Sequence, residues 1–259
     1  MKKRFIATTL AVSTIAMAAS ITVDPNSTKQ EIVGFGGGSV YYQSWITALA
    51  DNNKQALFDT AFTGLNLSLL RVGNWLQADT AKVSQDDIEI VQAAKQRLGN
   101  HLKIEMSSWS APGSLKPSGS VNGKDGSSSA DNSLKKVSGD AYGSYAYSDF
   151  AAWWKKSLEA YKAAGISPDY ISLQNEPDMN ADYEETLFTP TETDTSAGYK
   201  QALNAVYDAV KGQTKILGPE PLGIGYSNFQ KYAKELDENK LDGYAYHLYH
   251  AGDGNDNYG

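Results

Sequence analysis

One apolar run of the sequence ends abruptly on groups that could do chemistry. The run Tyr170–Leu173 leads through Gln174 into Asn175, Glu176 and Pro177. A carboxyl group at the end of a buried strand sits in a partly apolar opening, where it can hold a proton and act as a general acid. Pro177 cannot donate a hydrogen bond to a strand ladder and so helps to end the strand. Glu176 is therefore a candidate catalytic residue, with a purely structural role as the alternative.

Three further polar residues close other apolar runs. Arg71 ends "LSLLRVG", and a guanidinium can hold a carboxylate ionised through paired hydrogen bonds. His247 and Tyr249 in "YHLYH" lie two residues apart, so they share one side of a strand. Either could orient a substrate hydroxyl or a carboxylate. A surface arginine and a hydrogen-bonded core histidine are the structural alternatives.

Aromatic residues make up 11% of the chain, with 16 Tyr and 5 Trp. Trp45, Trp75, Trp109 and Tyr183 fall at or just after the ends of predicted strands. Sugar rings have apolar faces and polar rims, so aromatic side chains at such positions suit stacking on sugars. Packing in the core remains the alternative for each of them.

Composition excludes several classes of function. The net charge is −7, and no run of Lys or Arg appears after residue 4, which argues against nucleic acid or an anionic membrane as partner. Three histidines without H-x-x-x-H spacing, and no cysteine, predict neither a metal site nor a cofactor. No G-x-S-x-G is present, which weighs against an α/β-hydrolase. The composition leaves a neutral small molecule or a neutral polymer as the expected ligand. We expect the protein to be a monomer.

The first residues have the features of a secretory signal peptide. "MKKR" is a positively charged start, "FIATTLAVSTIAMAA" is apolar, and Ala16-Met17-Ala18 fits a cleavage site. The apolar run is short for a membrane span. We therefore predict a signal peptide over residues 1–19 and secretion, with a retained N-terminal anchor as the alternative.

Short apolar runs alternate with helical patterns along the rest of the chain. Helices are predicted over 45–62, 86–98, 150–164, 189–210 and 226–236. This alternation is typical of an α/β fold whose parallel strands are covered by helices. A doubly wound sheet is disfavoured because no G-x-G-x-x-G opens a helix. Polar residues at many strand ends favour a (β/α)8 TIM barrel, whose strand ends meet on one face.

The count of elements is smaller than a closed barrel needs. Six strands are predicted, and the chain ends soon after the sixth. We therefore expect an incomplete barrel of about six βα units, explained by a fragment of a longer protein. The segment 113–148 is rich in Gly and Ser. It follows the third strand, so we expect a long loop on the active face, with a linker between domains as the alternative.

The segments together resemble glycoside hydrolase family 30. The resemblance rests on six segments that lie in the family's order. They are "EIVGFGGG", "LSLLRVG", "SSWSAPGSLK", "YISLQNEPD", "KILGPEPLG" and "GYAYHLYH". "SLQNEPD" is the most specific of them, and "QNEPDMNADYEE" is most similar to the bacterial xylanase-like members. The resemblance covers nearly all of the chain after the leader.

The resemblance implies a retaining endo-glycosidase on a (β/α)8 barrel with a side β-structure. Residues 20–30 would supply the first strand of that side structure, and residues 31–259 barrel strands 1 to 6. Glu176 matches the acid/base, and Asn175 matches the amide that contacts a hydroxyl beside the reacting carbon. The remaining matches are cleft residues (Arg71, Trp109, His247 and Tyr249) and two aromatic subsite residues (Trp45 and Tyr183).

The family's second carboxylate has no match in this sequence. In the family the nucleophile ends the seventh strand, and this chain ends before it. Glu220 matches a family glutamate with another role. The resemblance thus implies that this chain alone does not hydrolyse its substrate. Xylan is the first choice of substrate, with β-1,6-glucan or a glucosyl lipid as alternatives. A non-catalytic carbohydrate-binding protein is the alternative from another class.

Overall fold

The computed structural model describes residues 24–29, 31–123, 128–223 and 228–248. The chain divides into two units, residues 1–33 and 34–259. In the first unit, residues 24–29 form a turn in which the Ser27 amide donates to the Asp24 carbonyl over 3.2 Å. The predicted signal peptide lies outside the described residues, as do residues 20–23 and 30 of the predicted side strand. Both stay predictions.

The second unit contains a parallel sheet whose six strands follow one another in chain order. A doubly wound sheet reverses its strand order at a switch point, and no reversal occurs here. The strands curl into a half-barrel, so the prediction of an incomplete (β/α)8 barrel is confirmed. The strands are β1 (Gly36–Gly38), β2 (Leu69–Gly73), β3 (Lys103–Ser107), β4 (Tyr170–Ser172), β5 (Lys215–Pro219) and β6 (Gly243–Ala245).

Helices connect the strands, as the alternation of patterns predicts. The α-helices are α1 (Gln43–Thr47), α2 (Asp51–Phe58), α3 (Gln85–Leu98), α4 (Tyr147–Ala163), α5 (Tyr199–Val210) and α6 (Asn228–Ala233). The Ser84 side chain caps α3 by accepting from the Asp86 amide over 3.1 Å. Gly165 ends α4 with φ +87°, as expected of a glycine after a helix. Among the described residues, no helix is long and apolar enough to cross a membrane.

Two of the helix predictions are wrong in extent. The prediction over 45–62 is interrupted because Ala50 leaves the helical region, with ψ 143°. A wider π-helical stretch over Asp59–Gly64 then follows α2. The prediction over 189–210 begins too early. The Thr189 amide donates to the Ala197 carbonyl over 2.9 Å, which closes residues 190–196 into a loop, so α5 starts at Tyr199.

The long β3–α4 loop, residues 108–146, packs against the β4–α5 loop, residues 173–198. The Gly123 amide donates to the Tyr183 carbonyl over 2.9 Å, and the Glu185 amide donates to the Val121 carbonyl over 3.0 Å. The Leu134 side chain in the β3–α4 loop is fully buried. The segment is therefore a loop of the barrel rather than a linker between domains. The two loops form one wall on the carboxyl-end face of the sheet.

Candidate active site

Glu176 and Glu220 follow neighbouring strands at the carboxyl-end edge of the sheet. The Glu176 amide donates to the Glu220 carbonyl over 3.0 Å, and the Glu220 amide donates to the Ala245 carbonyl over 2.8 Å. Both glutamates have left-handed backbones, with φ +48° and φ +61°. This conformation is costly for residues other than glycine and is found most often at functional sites. Ladder hydrogen bonds therefore hold both residues in a strained turn at the strand ends.

His247 connects these two glutamates through its imidazole ring. Nδ1 lies 2.6 Å from Glu176 Oε1, and Nε2 lies 3.0 Å from Glu220 Oε1. The two carboxyl residues are 5% and 3% exposed, respectively. Burial alone lowers the pKa of His247, but the hydrogen bonds and charges of the two glutamates outweigh it and raise the pKa to about 9. The ring is therefore an imidazolium at neutral pH.

Arg71 lies on β2 and holds Glu220 from the other side. Its guanidinium forms an ion pair with Glu220, and its Nη2 donates to Asn175 Oδ1 over 2.9 Å. Burial alone raises the pKa of Glu220. The charge of Arg71 and the contact with His247 outweigh burial, so the pKa lies below its ordinary value. Glu220 is therefore held as a carboxylate.

Glu105, which the sequence analysis did not single out, belongs to the same network. It lies opposite Arg71 in the register of β2 and β3, and its Oε2 is 3.1 Å from Arg71 Nε. The Ser107 hydroxyl lies 2.5 Å from Glu105 Oε1 and 3.1 Å from Glu220 Oε2. Burial and the charge of Glu220, opposed by Arg71, raise the pKa of Glu105 to about 7. The sequence feature that could have identified Glu105 is an acidic residue inside the apolar run "LKIEMSS".

Aromatic rings form a second side of the site, called here the aromatic wall. It consists of Tyr41, Trp75, Trp109 and Tyr183. The Trp75 and Trp109 rings stack at 5.3 Å, and Tyr41 meets Trp109 edge-on at 5.6 Å. The Arg71 guanidinium lies over Trp109, 4.7 Å from the ring centroid. Tyr41, which sequence reasoning missed, has φ +67° just after β1.

A cavity of about 440 Å³ lies between these groups. Six of the sequence-predicted residues line it, namely Arg71, Trp109, Asn175, Glu176, Tyr183 and His247. Trp45 does not line it. That residue lies on α1, is 72% exposed, and contacts the Tyr42 ring at 5.5 Å. Tyr249 lies outside the described residues. The remaining lining residues are Val40, Tyr41, Met179 and Leu222.

Behind the cavity lies a buried polar cluster that sequence reasoning also missed. The Gln174 side-chain amide contacts the Trp109 carbonyl at 2.6 Å, the Asn175 carbonyl at 3.0 Å and Glu185 Oε1 at 2.9 Å. Glu185 is fully buried. Burial, and then the charge of Glu176, raise its pKa well above the ordinary value. The cluster links the backbone of Trp109 and Asn175 to the β4–α5 loop.

The site combines an acid next to an imidazolium with an amide and an aromatic wall. Among the described residues that line the cavity, Glu176 is the one carboxyl group. Glu220 is nearly inaccessible, and Arg71, Ser107 and His247 occupy its oxygens. The arrangement can transfer one proton to or from a bound molecule. Glu220 is not available as a nucleophile.

Known proteins are similar to this chain in sequence and in fold. The model of the glycosyl hydrolase family 30 TIM-barrel domain matches residues 76–196. The glucuronoxylanase XynC of Bacillus subtilis is 26% identical over 186 residues, which are 69% of this chain and 37% of the relative. The endo-1,6-beta-D-glucanase neg1 of Aspergillus fumigatus is 30% identical over 234 residues, 79% of this chain and 44% of the relative.

A solved structure gives the same fold. The catalytic domain of the family 30 xylanase C from Talaromyces cellulolyticus superposes with a TM-score of 0.68 at 20% identity, over 89% of this chain and 56% of that one. The match of the family model over residues 76–196 and the two curated relatives support glycoside hydrolase family 30 for this chain, and the solved structure supports the barrel fold. The chain spans less than half the length of the two curated relatives described above.

Proposed function

We propose that the protein is a retaining glycoside hydrolase that cleaves a β-linked polysaccharide, with Glu176 as the acid/base. The observation that carries the proposal is the contact between Glu176 and His247 at 2.6 Å, beside a cavity walled by aromatic rings. The family match supports the reaction class. The proposal gives a reason for the strained backbone at Glu176, because the strain accompanies a functional side chain.

Several of the residues that line the cavity have a role in this proposal. Glu176 protonates the glycosidic oxygen as the leaving sugar departs, and then takes a proton from the water that attacks the glycosyl-enzyme. The Asn175 amide faces a hydroxyl of the sugar at the cleavage point. Tyr41 and Tyr183, which are 48% and 41% exposed, supply apolar surface for a sugar ring. The buried Trp109 supports this wall and is held by the Arg71 guanidinium over its ring.

His247 supports Glu176 by sharing a proton with it. The short contact between Nδ1 and Oε1 lets a proton move between the two groups without rotation of either side chain. Glu220, held as a carboxylate by Arg71, keeps the opposite nitrogen of the ring in position. His247 thus holds the Glu176 side chain in position beside the cavity.

The retaining reaction also needs a nucleophile about 5–5.5 Å from the acid/base. The described residues offer no second carboxyl group in the cavity. We therefore propose that the nucleophile is a carboxyl group outside the described part of the chain. The family resemblance predicts it at the end of a seventh strand.

Two substrates are supported to the same extent. One curated relative is named as a glucuronoxylanase and another as an endo-1,6-beta-D-glucanase. We propose that the substrate is xylan or β-1,6-glucan, and a glucosyl lipid is the third candidate. Export by the leader-like residues 1–19 fits either polysaccharide. Sequencing the amino terminus of the exported protein would test the predicted cleavage.

Activity assays test the proposal directly. The protein, expressed at the full length that its gene encodes, is assayed on xylan, β-1,6-glucan and a glucosyl lipid, and the anomer of the first product is read by NMR. We expect hydrolysis of one substrate with retention of the β-anomer. Glu176→Gln should lower kcat by about 10²- to 10⁴-fold while binding persists.

A matched control is Glu184→Gln, because Glu184 is a half-buried carboxyl nearby that does not line the cavity. Its activity should be unchanged. Binding of a polysaccharide without hydrolysis by the unmodified protein would favour the non-catalytic alternative. An unchanged kcat in Glu176→Gln would overturn the acid/base assignment.

A further inference from the structure

A second and larger cavity opens on the flank of the barrel. It has a volume of about 740 Å³ and lies between α4, residues 76–81 and residues 112–121 of the β3–α4 loop. This space is called here the flank cavity. Its size suits a ligand of several sugar units, because small-molecule sites span about 300–1,000 Å³. None of its lining residues lines the active-site cavity.

Hydrogen bonds between separate segments fix the walls of the flank cavity. The Trp153 indole Nε1 donates to the Leu76 carbonyl over 2.6 Å, which joins α4 to the segment after β2. The Gln77 side-chain amide donates to the Ser110 carbonyl over 3.1 Å, which joins that segment to the β3–α4 loop. The cavity is therefore formed before any ligand binds, so little binding energy is lost in ordering it.

The lining combines an aromatic ring with uncommitted polar groups. Trp153 is half-buried, and its N–H is already used, so the ring offers the cavity an apolar surface. Asp79, Asp149 and Lys156 are exposed at the cavity, and none of them has an ion pair or a side-chain hydrogen bond with a described residue. A neutral sugar fits these groups, because its C–H face can lie on the indole while its hydroxyls donate to the two carboxylates.

The flank cavity and the active site are built on the same two segments of chain. Trp75 and Trp109, stacked at 5.3 Å, belong to the aromatic wall. Leu76, the next residue after Trp75, and Pro112, three residues after Trp109, line the flank cavity. A site in this position can hold one part of a long polysaccharide while another part occupies the active site.

We propose that the flank cavity is a second saccharide site, which binds a neutral stretch of the same β-linked polysaccharide without acting on it. The inference rests on the proposed function for the identity of the ligand. Binding at two places on one polymer raises its effective concentration at the active site. The site should therefore matter for long substrates and not for short ones.

The test measures binding by calorimetry with xylohexaose and with a β-1,6-linked glucohexaose. The principal variant is Asp149→Ala/Lys156→Ala, which removes two exposed rim groups. The matched control is Lys155→Ala/Glu159→Ala, which removes one base and one acid from exposed positions of α4 that do not line the cavity. Trp153→Phe identifies the Trp153 indole N–H signal, whose NMR shift reports ligand at this site.

We expect two binding sites in the unmodified protein and in the control, and one in the principal variant. With the full-length protein, the principal variant should raise KM for the polymer about threefold or more, and leave KM for a short aryl glycoside unchanged. A single site that the principal variant leaves intact, or no binding of either oligosaccharide, would overturn the inference. If binding is lost in the principal variant while Glu176→Gln hydrolyses normally, the flank site stands and the acid/base assignment fails.

Discussion

Nδ1 of His247 lies 2.6 Å from Oε1 of Glu176, a distance that belongs to strong hydrogen bonds between charged groups. The same ring contacts Glu220 through its other nitrogen at 3.0 Å. One imidazolium therefore neutralises part of the charge of two nearly buried carboxyl residues on neighbouring strands. The folded protein should be stabilised by this arrangement as long as the ring carries its proton.

Replacing His247 by Gln should destabilise the fold in a pH-dependent way. The pKa of His247 is raised from 6.5 to about 9 on folding, so its contribution is complete below pH 6.5 and is lost as the pH rises through about 9. The contribution at low pH is about 3 kcal/mol, from one pKa unit being worth 1.36 kcal/mol. Urea unfolding between pH 5 and 10 measures it. His101→Gln, at an exposed position, is the control, and a pH-independent difference would contradict the prediction.

Replacing Arg71 by Met should cost about 3–5 kcal/mol of stability, because Glu220 loses its buried ion-pair partner. Arg71→Lys should recover only part of the loss, since an ammonium cannot contact Glu105 and Asn175 at the same time as Glu220. Chemical denaturation at pH 7 measures both. Arg97→Met is the comparison. Its partner Asp59 is largely exposed, so a loss of about 1 kcal/mol or less is expected. Equal losses at the two arginines would refute this account.

Replacing Glu185 by Gln should make the protein more stable than the original at neutral pH, and equally stable near pH 4. Burial raises the pKa of Glu185 in the folded protein. The neutral form of Glu185 therefore stabilises the fold fully below the pKa that this residue has in the unfolded chain. This contribution is lost as the pH rises through the pKa of Glu185 in the folded protein. Glutamine stays neutral and keeps an acceptor for Gln174. Thermal unfolding from pH 4 to 8 measures the difference. Glu184→Gln, at a half-buried neighbour, should show no such trend.

Replacing Lys116 by Met should loosen the contact between the β3–α4 and β4–α5 loops. The buried ammonium donates to the carbonyls of Glu185, Val121 and Asn122 at 2.6, 3.1 and 3.3 Å, and a thioether cannot. Faster hydrogen exchange at the amide of Glu185 is the expected sign. Lys135→Met is the control, because the Lys135 bond to the Ser114 carbonyl is exposed. Unchanged exchange in Lys116→Met would show that backbone pairing alone holds the loops.

The sequence predicts the fold class well because the apolar runs and helical periods are local signals. The sequence also predicts that six of the proposed site residues lie at the carboxyl-end edge of the sheet, because the ends of parallel strands meet there. Other features depend on contacts between distant segments. The pairing of Arg71 with Glu105 follows from strand register, which no local pattern reports. Glu185 lies in the polar stretch "DYEET", and its hydrogen bonds with Val121 and Lys116 come from another loop, which no local pattern reports.

Tyr41 and the first helices show a second kind of limit. The run "EIVGFGGG" predicts the first strand, but β1 is only three glycines long, and no local pattern shows that Tyr41, three residues after it, meets Trp109. Ala50 interrupts the helical pattern through its backbone angle alone, although alanine favours helix by propensity. Tertiary packing decides both features. Neither feature has a signal in the neighbouring sequence.

The mutual pairing of the β3–α4 and β4–α5 loops has a consequence for engineering. Because each loop supplies the hydrogen-bond partners of the other, a chimera that imports one of them from a relative would leave Lys116 or the Glu185 carbonyl facing a foreign surface. Exchange of substrate preference between family members should therefore succeed only when the two loops are transplanted together. On this face of the barrel the β3–α4 and β4–α5 loops should therefore vary together among relatives.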